Sequence, residues 1–298
     1  MMDRREFIKK SALAGVAGIG LVKALSDLNP AAAAAQPELI VAEGGEPAAL
    51  LAAALRAYGG FDKLIKPGGT VVIKTNFSWN GPPERACCTN PDLLAALVKA
   101  CLKAGAKKVQ VVDLSIDYSV MSMESSGIAK AVKAAGGEVF DLSGKNTVNK
   151  NSGILREFPV YTDPLKADCL LNVPILKAHF VTAMTGALKN YMGLTPDRGG
   201  MHALGTDQAI VDLAKVIKPN LHIVDAYRIL MANGPQGGNP QDVAMPKQLV
   251  LSHDPVAADA YGAQLLKCKP LPNHVKLAAE AGLGTADLNK VKIRRIKV

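Results

Sequence analysis

The sequence predicts an α/β fold: a mostly parallel, twisted sheet with helices on both faces, a Rossmann-like three-layer arrangement. Three observations predict it. Strand-type and helix-type segments alternate over residues 70–142, the order that builds a parallel sheet with right-handed crossovers. Residues 169–176 are almost wholly apolar, as befits a strand covered on both faces. The 298 residues are 49 % apolar and 20 % charged, enough to bury a sizeable core.

Each element has its own signal. Residues 38–43 form a first strand, and Pro47 opens a helix over 47–58. Pro67-Gly68-Gly69 turns the chain into the β-branched run 70–76, with Lys74 and Asn76 two apart at its far end. Residues 78–89 make a loop rich in Gly, Pro and Cys that holds the only tryptophan, Trp79. Asn90 caps a helix with Pro91 at its first position, and Gly105 stops it. A strand over 108–114 carries Asp113 at its end; a helix over 124–135 and a strand over 138–142 follow. A polar loop, 143–152, leads to a peripheral strand over 154–161.

Pro174 marks where the ladder of the apolar strand stops. Lys177 and His179 are two apart, so in extended chain they project to the same side. The sequence then predicts a short helix capped by Thr182 and closed by Gly193, with Thr182, Thr185 and Lys189 on one polar stripe and Asn190 beside them. Residues 195–206 read as a lid-like loop bearing Arg198 and His202. A helix over 207–218 and a strand over 220–226, bearing Asp225, precede the Gly/Pro loop 234–240. A strand over 247–252 ends at His253-Asp254, and Pro255 opens a helix over 256–267. Residues 290–298 form a basic edge strand, a charged guard against edge pairing.

The strands end repeatedly in polar side chains, and in a parallel sheet such ends share one rim, where ligands bind. Lys177, His179 and Lys189 are the candidate catalytic residues, with Lys74, Asn76, Thr185 and Asn190 as ligand-binding residues. Lysines gathered at one rim repel unless an anion sits among them, so a carboxylate or phosphate is the expected ligand. Asp225 and Asp254 are candidate ligands for a divalent metal. The formal charge of +9 favours acidic ligands. Aromatics make up only 4 %, too few for the stacking platforms of single-strand nucleic-acid binding. No G-x-G-x-x-G turn supports dinucleotide binding.

The first 35 residues read as an export signal, leaving residues 36–298 as a single α/β domain. Asp3-Arg4-Arg5-Glu6-Phe7-Ile8-Lys9 resembles a twin-arginine signal, and a weakly apolar run and small residues at 31–35 follow. The apolar run is shorter than the roughly 20 residues a span needs. The expected partner is the twin-arginine translocation machinery, with cleavage near Ala35 and a periplasmic or extracellular destination without a stable membrane span. Of five cysteines, Cys101 and Cys169 lie in apolar patterns, whereas Cys87-Cys88 sits in a polar loop.

The segments VVIKTNF, LLNVPILKAHFVTAMTGALKNYMGL, LHIVDAYRILMANGPQGGNP and SHDPVAADA resemble the family called domain of unknown function 362, above all in Lys-x-His … Thr-Gly-x-x-Lys-Asn. Members joined to ferredoxin-like iron–sulfur modules occur. The resemblance implies an α/β domain associated with redox biology and no established reaction. This chain lacks the C-x-x-C-x-x-C run of the fused members.

Three functional readings stay open. The chain binds or transforms a small anionic ligand, with or without a metal. Alternatively, it is an iron–sulfur or redox protein with Cys87 and Cys88 as ligands. In the third reading it is an accessory factor that serves a periplasmic redox partner.

Overall fold

The computed structural model describes residues 38–298; the stretch read from the sequence as an export signal, residues 1–35, lies outside them. The strands are β1 (Glu38–Glu43), β2 (Thr70–Lys74), β3 (Lys108–Asp113), β4 (Glu138–Asp141), β5 (Thr147–Ser152), β6 (Leu155–Tyr161), β7 (Cys169–Asn172), β8 (Ile175–His179), β9 (Ala183–Thr185), β10 (Leu221–Leu230), β11 (Val243–Ala244), β12 (Gln248–Ser252) and β13 (Lys292–Lys297). The α-helices are α1 (Pro47–Tyr58), α2 (Pro91–Lys103), α3 (Ser119–Ser125), α4 (Ile128–Ala134), α5 (Thr162–Lys166), α6 (Arg198–Leu204), α7 (Thr206–Val216), α8 (Pro255–Leu265) and α9 (Asn273–Glu280). Among the described residues no helix is long and apolar enough to cross a membrane.

The main sheet runs β13-β1-β12-β10-β7-β2-β3-β4, with β8, β9 and β11 attached beside β10. Along this path every pairing is parallel except the two made by β12. Side chains alternate between two cores, as a period of two requires. In β1, Leu39 and Val41 pack with residues of α7 and α8, whereas Ile40 and Ala42 pack with α1, α2 and α4. The fold is therefore three-layered, a mostly parallel sheet with helices on both faces.

Local signals set several boundaries. The Asn90 side chain accepts from Asp92 N and Leu93 N to cap α2, and Asp254 caps α8 from Val256 N and Ala257 N. Gly127, in the left-handed region at φ 74°, divides the helix expected over 124–135 into α3 and α4. The polar stretch expected to be a loop contains β5, because its backbone pairs with β6 as an antiparallel hairpin. The expected 195–206 loop contains α6, capped by Asp197, whose side chain accepts from Gly200 N.

Two larger differences bear on the site. The apolar strand is two strands, β7 and β8, broken at Val173-Pro174. After it the chain forms a hairpin, β8 to β9, and then a 3-10 turn over Lys189–Leu194, in place of the expected helix. The reason lies 71 and 72 residues downstream. The Asp259 carboxylate on α8 accepts from Ala187 N at 2.5 Å and from Leu188 N at 2.9 Å, fixing a turn that a regular helix would not permit. Second, β12 runs against its neighbours, with Ser252 opposite His222 at the start of β10. His253 and Asp254 therefore lie at the rim opposite the ends of β2, β3 and β7, not on the shared rim that a parallel β12 would have given.

Candidate functional site

Asp113, Lys74 and Asn172 are the last residues of three adjacent parallel strands, β3, β2 and β7. Their side chains begin a buried polar net. The Lys74 ammonium sits 2.8 Å from Asp113 Oδ1, both side chains only 1 % exposed. It also donates to Thr75 O at 2.5 Å and Asn190 Oδ1 at 3.1 Å, so its three N–H groups are filled. Asp113 is filled too: Leu114 N donates to Oδ1, and Phe77 N and Ser78 Oγ donate to Oδ2. Burial lowers the Lys74 pKa, and Asp113 works against that fall.

An ammonium only donates, so the Asn190 atom facing Lys74 is its oxygen. That orients the rest of the net. Asn190 Oδ1 also accepts from Asn76 Nδ2 at 3.2 Å, and Asn190 Nδ2 donates to Lys74 O and Asn172 Oδ1. Asn76 Oδ1, thereby turned the other way, accepts from Lys177 Nζ at 3.0 Å. Lys177 also donates to Cys87 O at 2.5 Å and keeps one N–H unused. Gly193 must be glycine for the 3-10 turn to cross this net, because a Cβ there would lie 2.2 Å from Asp113 Oδ1.

The pocket beside the net holds about 490 Å³ of empty space, counted to its open mouth. Lys74, Asn76, Lys177, His179, Thr185, Lys189 and Asn190 line it together, with Asp113, Trp79, Arg198 and His202. Thr185 reaches it as the β9 partner of Lys177 across the hairpin. His179 Nδ1 accepts from Val181 N at 3.1 Å, leaving the ring proton on Nε2. Burial, then Lys189 and Lys177, push the His179 pKa down to about 3, so the ring is neutral at pH 7. Lys189 is half-buried, and among the described residues its one hydrogen-bond partner is Met192 Sδ at 3.6 Å, a weak acceptor. Burial and the charges of Lys177, Arg198 and Lys74 push its pKa down to about 7. Arg198 pins α6 across the mouth by donating from Nη2 to Leu114 O and Ser115 O, each at 2.9 Å.

The Thr-Gly-x-x-Lys-Asn segment now has a physical reading. Gly186 leaves room for the Asp259 carboxylate; a Cβ there would lie 2.2 Å from Asp259 Oδ1. The turn that Asp259 fixes delivers Lys189 and Asn190 to the pocket. Asp259 is fully buried, and desolvation raises its pKa to about 6.

Other candidates lie elsewhere. Asp225 is buried inside β10 and accepts from Asn90 N and Tyr227 N; desolvation raises its pKa to about 6. Asp254 is used up as the α8 cap and by Thr285 N. The two carboxylates do not converge, since Asp225 pairs with Leu249, three residues before Ser252. Cys87 and Cys88 are buried, not in open polar loop, with sulfurs 3.9 Å apart. Their shared hydrogen bond brings the Cys87 pKa down to about 7. Among the described residues no group of three or more His, Cys, Asp or Glu side chains is placed to hold a metal. The cysteine pair therefore lacks the further ligands of a cluster, and neither candidate set fits its metal.

Asp113, Arg198, His202 and Asp259 complete the site beyond the candidate set. Asp113 carried a signal, a strand-terminal carboxylate one strand from Lys74. Asp259 carried none, because its partners are backbone amides 71 and 72 residues away.

Comparison with known proteins agrees with the sequence motifs. The family described as "Domain of unknown function (DUF362)" matches residues 71–264. The thylakoid-associated protein sll1697 of Synechocystis sp. is 27 % identical over 252 residues, which is 81 % of this chain and 76 % of that protein. Among solved structures, the lactate racemase apoprotein of Thermoanaerobacterium thermosaccharolyticum is 12 % identical with a TM-score of 0.48, over 76 % of this chain and 56 % of that one. A crystal structure of a Thermotoga maritima protein is 11 % identical with a TM-score of 0.40, over 74 % of this chain and 56 % of that one. The chain thus spans little more than half the length of either solved chain. The family match covers most of the chain and contains the strand ends that build the pocket: this protein belongs to the DUF362 family.

Proposed function

We propose that the pocket binds a small carboxylate- or phosphate-bearing molecule and stabilises negative charge on it. The observation that carries this reading is an imbalance of hydrogen-bonding groups. Among the described residues, Lys189, one N–H of Lys177, the remaining N–H groups of Arg198 and the Nε2–H of His179 are unused donors. The one carboxylate lining the pocket among the described residues, Asp113, has both oxygens doubly occupied. An anion supplies the missing acceptors and offsets the repulsion among the cations. Lys74, with its N–H groups filled, contributes its field and anchors Asn190. Fixed donors around a half-enclosed anion are the arrangement that favours charge developing during a reaction.

In the same reading, residues 1–35 are a twin-arginine leader. The translocation machinery is then a partner, and the mature chain works in the periplasm or outside the cell.

The test is calorimetric titration of the protein with oxalate and with inorganic phosphate. Lys177→Met should weaken binding about tenfold or more, the equivalent of about 1.4 kcal/mol, with an unchanged circular dichroism spectrum. Equal affinities in the two proteins would discard the assignment.

A further inference from the structure

We propose that Lys189 is a covalent nucleophile: its amine condenses with the carbonyl carbon of a small 2-oxo carboxylate bound in the pocket, forming an imine. This rests on the anion-binding reading and gives it a substrate class.

The argument starts from the unequal treatment of three lysines that share one pocket. Lys74 has a carboxylate and two further oxygens as acceptors, and Lys177 has two. Burial lowers the pKa of both, but each has oxygen acceptors around it that suit a donating ammonium. Among the described residues Lys189 has no oxygen acceptor, only the Met192 sulfur. An ammonium without acceptors, partly buried among other cations, is costly, and the neutral amine with its free lone pair is the form that suits the position. The groups that face it agree. Lys177 on β8, Lys74 on β2 and Arg198 on α6 disfavour its charged form, and Asp207 at the start of α7 is the acid that opposes them. His179 and His202, whose own pKa values Lys189 lowers, add no negative charge.

A nucleophilic amine beside a cationic anchor selects the ligand. Lys177 and Arg198 line the same pocket as Lys189, so the anionic group and the attacked carbon must be near neighbours. A carboxylate bonded directly to a carbonyl meets that demand. In the step, the nitrogen lone pair forms a bond to the carbonyl carbon while the C=O π electrons move to oxygen. A proton passes from nitrogen to that oxygen, giving a carbinolamine. Loss of the hydroxyl with one further proton releases water and leaves C=N, with no net oxidation or reduction. The His179 Nε2–H donates a hydrogen bond to the oxygen as charge builds on it.

The experiment uses the full chain with pyruvate, and separately glyoxylate, in the presence of borohydride, which reduces an imine to a stable secondary amine. Intact-mass and peptide-mapping mass spectrometry then locate the adduct. The expected result is one reduced adduct per chain on Lys189, diminished by excess oxalate and absent from Lys189→Arg and Lys189→Met. Melting curves of both variants show that the fold persists, and the arginine keeps the stem and charge should methionine perturb packing. No adduct with either probe, while oxalate still binds calorimetrically, overturns the covalent role and leaves the anion site standing. No adduct and no oxalate binding removes both. Labelling spread over surface lysines and unaffected by either variant also overturns it.

Discussion

Replacing Asp113 with asparagine tests the architecture of the site most directly. Each Asp113 oxygen accepts two hydrogen bonds, from Lys74 Nζ and Leu114 N on one side and from Phe77 N and Ser78 Oγ on the other. An asparagine keeps one oxygen. If that oxygen stays with Lys74, the new amide N–H groups face Phe77 N and Ser78. The serine hydroxyl can turn to accept, but the buried Phe77 N–H cannot, at a cost of about 1–3 kcal/mol. Lys74 loses its counter-charge at a place where both side chains are 1 % exposed. Removing one partner of a buried pair costs about 3–5 kcal/mol, a figure that overlaps with the lost amide bond. Asp113→Asn should therefore lower unfolding free energy by about 3–5 kcal/mol, a large share of the roughly 5–15 kcal/mol typical of a domain. Urea denaturation of the full chain measures it as a lower midpoint at unchanged slope. The double variant Lys74→Met, Asp113→Asn leaves no buried charge unpaired and frees the asparagine oxygen for a backbone amide, so it should be less damaged than Asp113→Asn alone. A loss for Asp113→Asn of only about 1 kcal/mol, the value of an exposed pair, would refute the account of the buried net.

Two further predictions concern Lys189 and the turn that carries it. Gly186→Ala puts a Cβ where Asp259 Oδ1 stands 2.2 Å away, so the carboxylate must release Ala187 N and Leu188 N. Thermal melting should show a loss of about 1–3 kcal/mol, and oxalate affinity should fall with it; wild-type values for both would disprove the positioning role of Asp259. The lowered Lys189 pKa also gives a signed pH dependence. Between about 7, its value in the folded protein, and its ordinary 10.5, the unfolded chain binds a proton that the folded one does not, so stability rises with pH across that window. Lys189→Met lacks this increment, and saturating phosphate, which pairs with the ammonium, should flatten it in the wild type. Parallel stability–pH curves for the two proteins would show that the amine is not perturbed.

Much of the frame is readable residue by residue. The Pro91 and Pro255 helix starts and the Asn90 cap are local chemistry and stand where the sequence places them, whereas Asp254, expected as a metal ligand, is the cap of α8. The strands β2, β3 and the start of β7 also stand where expected; the apolar runs of β2 and β7 mark strands covered on both faces, and β3 buries Val109, Val111 and Val112 between polar ends. Lys74, Asp113 and Asn172 converge because crossover connections make those strands parallel, a consequence of element order, and Lys177 joins them from β8, past the break at Val173-Pro174. Direction is different. The apolar run of β12 reads the same whether it pairs parallel or antiparallel, and only its partners reveal that it is reversed, which sends His253 and Asp254 to the far rim.

The sequence by itself determined the α/β class, the cores of most parallel strands and the order in which they follow, since these come from short-range periodicity, capping and chain order. Tertiary structure alone decided which cations are neutralised and which are left free. Asp113 satisfies Lys74 across a strand pair, and Asp259 bends residues 186–189 into a turn where local propensity favours a helix. Both carboxylates act on groups tens of residues away, and the energy of meeting a buried charge or amide there outweighs the few tenths of a kcal/mol per residue by which local preference differs.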